Sequence, residues 1–394
     1  MHIENKFILE ESFIRLKKFI EAENYKGYDP FDGLSGKFNS TFLFKYNLPR
    51  LVIQQLIKRS PVNLRGILGI KKQHIPKGLG LLLSGYCAHY RLTGSEDSYQ
   101  RCYELFELLI GMKTPGYSGN CWGFPGYWQT RAFFQPYGAP QIVASTYIGC
   151  ALLDLYEISK DEKVLNEAIG IIPFILNDLN NIEQEDGAIS VSYTCFDQSA
   201  VYNATALASR FAARVYSFTR DKSLLDFSKR TMAYVESGQN EDGSWPYSPL
   251  PFHQWVDGFH SGYNLECMAQ YQEYTGDYSF SKSLEKGFDY YMNTFFTDTG
   301  VPRYYNNSTY PIDVHSPAQL IITLSKMNRF SENKHVALKV LHWTIDNMQS
   351  RKGSFYYQIN RIFTSKISYI RWSQAWMFYA LSVCLLELND ENSD

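Results

Sequence analysis

The strongest constraint on the fold of this chain is an internal repeat with a period of about 55 to 65 residues. One marker is a hydroxyl residue that ends an apolar stretch; its copies lie 66, 60 and 56 residues apart, at Thr93, Ser159, Thr219 and Thr275. A second marker is a glycine in a polar turn, with steps of 68, 56, 57 and 53 residues, at Gly119, Gly187, Gly243, Gly300 and Gly353. Two independent markers keep one period, so the chain uses one supersecondary unit many times.

The repeat runs through nearly all of the 394 residues, and no linker rich in Gly, Ser or Pro interrupts it. We therefore predict a single domain over residues 1–394. Residues 25–75 fall outside the repeat and read as an apolar and basic insertion.

The composition argues against several classes of protein. The net charge of -2 gives no overall attraction to nucleic acid. The seven cysteines are scattered singly, which favours reduced thiols over a disulfide framework or a zinc ribbon. The chain has neither a recognisable signal peptide nor an apolar run near the roughly 18 residues of a membrane span, so we expect a cytoplasmic protein. No nucleotide-binding glycine pattern occurs, and we predict no cofactor and no metal.

From residue 76 onward, predicted helices come in pairs. The first member of each pair is apolar nearly all round and therefore buried, at residues 76–92, 140–158, 202–218, 261–274, 317–327 and 372–388. The second member is amphipathic and faces water, at residues 96–112, 161–179, 221–236, 278–296 and 332–349. The amphipathic stretch at residues 5–24 supplies an outer partner for the last inner helix. The pattern predicts an all-α protein, an (α/α)6 toroid with short β-hairpins in the outer-to-inner loops.

The loops indicate where a ligand binds. Inner-to-outer links are tight turns, whereas outer-to-inner links are long, and long loops in compact domains tend to be functional. Six of the seven tryptophans are predicted to lie in or beside these loops, at the N-terminal end of the inner helices. Flat amphipathic rings around a concave site suit sugars, although such rings also fasten loops to a barrel. The aromatic candidates for substrate binding are Trp122, Trp128, Trp245, Tyr263, Tyr305 and Trp372.

Five segments carry a resemblance to a known family: residues 134–143, 202–206, 239–245, 257–263 and 310–316. They resemble a family of six-hairpin toroids encoded with bacterial exopolysaccharide and capsule biosynthesis genes, similar in architecture to six-hairpin glycosidases. The resemblance implies a carbohydrate-active protein of polysaccharide biosynthesis. Residues 239–245 also resemble the QW repeat of triterpene cyclases, which we attribute to shared turn chemistry.

Two matched motifs supply the candidate catalytic residues. Asp257 precedes His260, and Asp313 precedes His315, each at the start of an inner helix. A histidine oriented by a carboxylate in a cleft is a plausible general acid or base. The alternative is helix capping, which explains the aspartates but not the histidines.

Two types of reaction fit these residues. Arg131, Asn203 and Arg371 suit the carboxylate of a uronate, with a histidine or Tyr263 removing the C5 proton, as in a lyase or epimerase. A hydrolase instead needs two carboxylates, for which Asp257 and Asp313 are the candidates. A non-catalytic glycan-binding or scaffold protein is the remaining alternative.

A charge pattern adds a possible membrane contact. Ten basic residues and no acidic ones occur between Asp32 and Glu96. Residues 48–72 alternate basic and apolar side chains, as basic amphipathic helices on anionic membranes do. The alternative is that their apolar faces pack on the toroid. We predict peripheral contact with the inner membrane face, and an oligosaccharide or lipid-linked glycan as partner.

Overall fold

Thirteen α-helices dominate the structure, a computed structural model that describes residues 2–131 and 133–390. In chain order they are α1 His2–Ala22, α2 Asn47–Arg59, α3 Pro76–Thr93, α4 Glu96–Ile110, α5 Ile142–Ser159, α6 Glu162–Ile169, α7 Tyr202–Thr219, α8 Lys222–Ser237, α9 Gly258–Thr275, α10 Ser281–Phe295, α11 His315–Lys326, α12 Phe330–Met348 and α13 Trp376–Asp390.

Six helices form a closed inner ring. Helices α3, α5, α7, α9, α11 and α13 each pack on the next, and α13 packs on α3. Helices α4, α6, α8, α10 and α12 pack outside their preceding inner helices, and α1 packs outside α13. The predicted (α/α)6 toroid is therefore confirmed. Helix α5 is long and apolar enough to span a bilayer, but it belongs to this inner ring and 78% of its residues are buried.

The repeat markers have a structural explanation. Gly94, Lys160, Arg220 and Gly276 end inner helices in the left-handed conformation, and each donates its N–H to a carbonyl four residues earlier. In the second marker, Gly243 has a φ of 95° and closes a turn on the carbonyl of Asn240. Gly119 is different: it has no positive φ, and a Cβ there would lie 2.5 Å from the backbone nitrogen of Phe174.

Two predicted segments differ from the structure. The outer helix expected at residues 161–179 ends at Ile169, and a π-helical turn follows at Phe174–Asp178. Pro173 lacks an N–H for a continuous helix, and Gly170 lies against the side chain of Asn120. Of the basic and apolar stretch 48–72, only the part in α2 is helical; residues 65–69 form a turn rather than an amphipathic helix.

Short strands lie in the long loops, as predicted. Strands β1 Trp128–Gln129 and β2 Phe134–Gln135 form one hairpin, and β3 Asn181–Glu183 and β4 Ile189–Val191 form a second. Strand β5 Ile312–Asp313 pairs with β6 Gln358–Ile359, which pairs with β7 Thr364–Ser365. The last sheet joins two long loops above the ring.

The insertion at residues 25–75 lies beside these loops. Helix α2 packs against β1, and Gln54 exchanges hydrogen bonds with the backbone of Gln129. Within the insertion, Arg65 and Asp32 form a buried ion pair of 2.7 Å. The insertion therefore forms one wall of the cleft above the ring.

Candidate functional site

A cavity of about 590 Å³ opens at the N-terminal end of the inner helices, where the sequence placed the site. We call it the central cavity. Its wall includes Lys77 from the first turn of α3, Asn203 from α7, and His260 and Tyr263 from α9. Helix α2 and the long loops supply the rest of the wall.

The charged residues in the wall of the central cavity are all basic among those described. Its wall contains Lys58, Arg59, Lys77, Arg131 and Arg371 but no Asp or Glu among the described residues. The guanidinium of Arg371 is bound by both carboxylate oxygens of Asp29, at 2.6 and 2.8 Å. Within residues 2–131 and 133–390, no carboxylate forms an ion pair with the other four cations. The cavity therefore favours an anionic ligand.

The side chain of His260 is held by Asp257. One carboxylate oxygen of Asp257 caps α9 at the backbone N–H of His260, and the other lies 2.7 Å from its Nδ1. That second oxygen also accepts a bond from the indole of Trp255. The imidazole is 22% exposed on the cavity side. Since Nδ1 is engaged, Nε2 is the atom available to a ligand.

The second Asp/His motif has another arrangement. Asp313 is fully buried outside the described cavity wall, and it accepts bonds from the backbone N–H of His315 and the indole of Trp372. The imidazole of His315 instead bonds the hydroxyl of Tyr263 through Nε2, at 2.8 Å, and stacks on Phe259. The expectation that both aspartates orient their histidines therefore holds only at Asp257.

Tyr263 connects the cavity to this buried histidine. Its hydroxyl lies 3.5 Å from Nζ of Lys77, and its ring centroid lies 5.8 Å from that of His260. The ammonium of Lys77 also lies over the rings of Tyr147 and Trp376, at 4.3 and 5.3 Å. Lys77 is not among the site residues predicted from the sequence. The available signal was a charged residue directly after Pro76, in the first turn of an otherwise apolar helix.

Burial shifts the pKa values of three of these groups. Desolvation lowers the pKa of Lys58 to about 8 and holds the pKa of Lys77 well below its usual value, because the charged form is disfavoured away from water. Desolvation also raises the pKa of the Tyr263 phenol well above its usual value. The side-chain oxygen of Asn203 is buried in the wall without a hydrogen-bond partner. A ligand hydroxyl that donates to this oxygen would supply the missing partner.

The predicted aromatic residues divide into two groups. Trp128, Tyr263, Tyr305 and Trp372 line the central cavity. Trp122 and Trp245 do not: their indoles are buried and donate to the carbonyls of Leu109 and Val235, near the ends of α4 and α8. Their predicted substrate contact is thus corrected to a structural role, which satisfies helix C-terminal carbonyls.

A third carboxylate, Glu266 of α9, lies deeper in the ring and is already bound. Glu266 is fully buried, forms a 2.6 Å ion pair with Arg210, and accepts a bond from Gln319. In the described residues, no group of three or more His, Cys, Asp or Glu is placed to hold a metal ion. The geometry supports acid–base chemistry on an anionic ligand, centred on His260.

Solved carbohydrate-processing enzymes share the fold. Cellobiose 2-epimerase from Bacillus thermoamylovorans B4167 is 13% identical, with a TM-score of 0.64 over 80% of this chain and 88% of that one. An unsaturated glucuronyl hydrolase specific for heparin is 13% identical, with a TM-score of 0.63 over 99% of this chain and 97% of that one. A family 76 glycoside hydrolase from a bovine Bacteroides thetaiotaomicron strain is 15% identical, with a TM-score of 0.60 over 80% and 69%.

No family model and no curated relative matches the chain. Because these structural neighbours are only 13–15% identical in sequence, the similarity shows the six-hairpin toroid fold alone.

Proposed function

We propose that this protein is a carbohydrate-active enzyme that binds an anionic glycan and removes the C5 proton of a uronate unit in the central cavity. The observation that carries the proposal is the cavity wall, which has five basic residues, of which Arg371 alone is paired with a carboxylate, and no Asp or Glu among its described residues. A proton next to a carboxylate becomes easier to remove when cations neutralise that carboxylate, because negative charge develops there in the transition state.

Each polar group at the cavity floor has a role in this reaction. The base is Nε2 of His260, and Asp257 keeps the ring in place through Nδ1. Lys77, Arg371 and the amide N–H of Asn203 donate to the uronate carboxylate. The Tyr263 hydroxyl is the second proton-transfer group. Asp257 acts through His260 and is a positioning residue.

Two outcomes follow from removal of the C5 proton. In elimination, the C5–H electron pair forms the C4–C5 double bond, the C4–O bond breaks, and Tyr263 protonates the leaving oxygen. In epimerisation, a proton returns to C5 from the opposite face and no bond to oxygen breaks. Hydrolysis has less support, because two carboxylates would have to flank the glycosidic bond, and Asp313 and Glu266 are both buried.

The test measures the loss of the C5 proton directly. Uronate oligosaccharides from pectin, alginate, hyaluronan and heparosan are incubated with the protein in D2O, and NMR monitors deuterium at C5 while ultraviolet absorbance monitors the C4–C5 double bond. We expect one of these signals. The variant His260→Gln should lose it by about 10²- to 10⁴-fold, whereas His335→Gln, exposed on α12, should keep it.

Other results separate the alternatives. New reducing ends without deuterium at C5 or a double bond would contradict proton abstraction and favour a hydrolase. Binding without any turnover would favour the non-catalytic glycan-binding protein.

The proposed setting is polysaccharide biosynthesis at the inner face of a bacterial membrane, with a lipid-linked glycan as partner. Its support is the family resemblance together with the insertion, whose outward face is apolar. Phe42 is 74% exposed, Leu48 69% and Leu56 61%, and no acidic residue lies between Asp32 and Glu96. An apolar face among basic residues suits an anionic bilayer.

A further inference from the structure

A second cavity lies beside the central one. It has a volume of about 670 Å³, and the two cavities share Arg131, Phe133 and Ser199. We call it the side cavity. Because these three residues line both cavities, the two cavities are neighbours, close enough for one oligosaccharide to contact both.

The side cavity combines exposed aromatic rings with polar side chains. Phe196 is 53% exposed and Phe252 is 44% exposed, and both line it. Their rings can pack on the C–H faces of sugars, while the side chains of Arg131 and Gln198 can bond hydroxyl or carboxylate groups.

The single carboxylate in its described wall is already bound. Asp197 is 7% exposed and accepts hydrogen bonds from the backbone and side chains of Thr194 and Ser199. Arg131 is exposed, and no described carboxylate forms an ion pair with it. The charge available to a ligand is therefore positive, as in the central cavity.

The two loops that carry the phenyl rings are held in place. Asn180 donates 2.7 and 3.5 Å bonds to the carbonyls of Asp197 and Cys195, on either side of Phe196. The ring of Phe252 contacts His253 at 4.5 Å, and His253 is bonded to Ser248 at 2.8 Å. A preformed site loses less conformational entropy when it binds.

We propose that the side cavity is a binding subsite for further sugar units of an anionic oligosaccharide whose reacting unit lies at His260. This inference rests on the proposed function. It specifies the substrate as a chain of several units. Phe196 and Phe252 line the side cavity and not the central one, so a single sugar unit bound at His260 would not contact them.

The test uses ladders of uronate oligosaccharides, from dimer to octamer, prepared from pectin, alginate, hyaluronan and heparosan. Affinity is measured by calorimetry and turnover as kcat/KM. For the ladder that binds, we expect affinity to rise at least about tenfold with length, which is about 1.4 kcal/mol. The double variant Phe196→Ala/Phe252→Ala should lose this gain and bind the dimer as the wild type does.

The matched control is Tyr278→Ala, which removes an aromatic ring that is 66% exposed just before α10. It should keep the gain with length. Melting curves verify that each variant is folded.

The outcomes distinguish this inference from the proposed function. A length dependence that is equal in the wild type and the double variant, or absent from both, overturns the subsite alone. Length-dependent binding that the double variant loses, without C5 chemistry, supports the subsite and overturns the enzyme. Failure to bind any ladder overturns both.

Discussion

At the scale of single residues, the environment of Asp313 decides its contribution to stability. The carboxylate is fully buried and accepts bonds from His315, Trp372 and Gln358. Desolvation nevertheless raises its pKa from 3.8 to about 6. Because the folded pKa is the higher one, folding favours the protonated form. The stabilisation is fully present below about pH 4 and is lost as the pH rises through about 6.

The variant Asp313→Asn should remove this pH dependence, since an amide does not titrate. We expect the unfolding free energy of the wild type, relative to the variant, to fall by up to about 3 kcal/mol between about pH 4 and pH 7. Urea denaturation at a series of pH values measures this difference. A constant difference across that range would mean that Asp313 ionises in the fold as it does in the unfolded chain.

The lowered pKa of Lys58 gives a prediction for ligand binding. Its ammonium lies 4.3 Å from the ring of Phe31 and faces the central cavity. With a pKa of about 8, it is charged at neutral pH and loses its charge above that value. Affinity for an anionic oligosaccharide should therefore fall as the pH rises from about 7 to 9.

Two substitutions isolate this effect. Lys58→Arg should flatten the pH profile of the dissociation constant, because a guanidinium stays charged throughout. Lys58→Met should weaken binding at neutral pH by about tenfold and also flatten the profile. An unchanged slope in both variants would assign the titration to another group.

Only contacts between residues close together in the sequence could be predicted for this site. Asp257 and His260 lie three residues apart at a helix start, so the sequence alone predicts that they lie close together. The partner of His315 comes from another helix, and the bond from Trp372 to Asp313 spans 59 residues. Such pairings depend on how the hairpins pack, which the repeat pattern does not specify.

At the scale of elements, helix α2 turns basic residues towards the protein and apolar residues outward. Lys58 and Arg59 line the central cavity, and Arg50 is buried against Gln129. Leu48, Val52 and Leu56 face outward instead. The membrane prediction assumed that the basic residues of this segment face lipid. In the structure the apolar residues of α2 face outward, while Lys71, in the same predicted stretch 48–72, and Lys45, just before it, are exposed.

Vesicle co-sedimentation tests this surface. We expect binding to anionic vesicles at low salt and weaker binding to neutral ones. The triple variant Leu48→Gln/Val52→Gln/Leu56→Gln should reduce binding at least about tenfold, because each buried aliphatic side chain contributes about 1.5–3 kcal/mol. Lys45→Glu/Lys71→Glu should reduce it further, without touching the cavity.

The control for the vesicle experiment is Phe7→Gln/Ile14→Gln, which removes exposed apolar residues from α1. It should bind vesicles as the wild type does. Equal binding of all variants, or equal binding to anionic and neutral vesicles, would contradict a membrane contact through the insertion.

At the scale of the whole molecule, the two ends of the chain close the ring together. Helix α1 presents Leu9, Phe13, Leu16 and Ile20 at helical spacing, and all four are buried. Phe13 contacts Phe378 of α13 at 5.1 Å. The count of inner and outer helices was enough to predict this closure, because six inner helices need six outer partners and only five follow them in sequence.

Closure makes α1 part of one cooperative unit, although it is first in sequence. Leu16→Ala should therefore lower the unfolding free energy of the entire protein by about 2–5 kcal/mol, the usual cost of a cavity in a packed core. Phe7→Ala, at a position that is 64% exposed, should change it by less than about 0.5 kcal/mol. Urea denaturation followed by circular dichroism and by tryptophan fluorescence measures both variants. Because α1 contains no tryptophan, a Leu16→Ala change seen by circular dichroism but not by fluorescence would show that α1 unfolds independently of the ring.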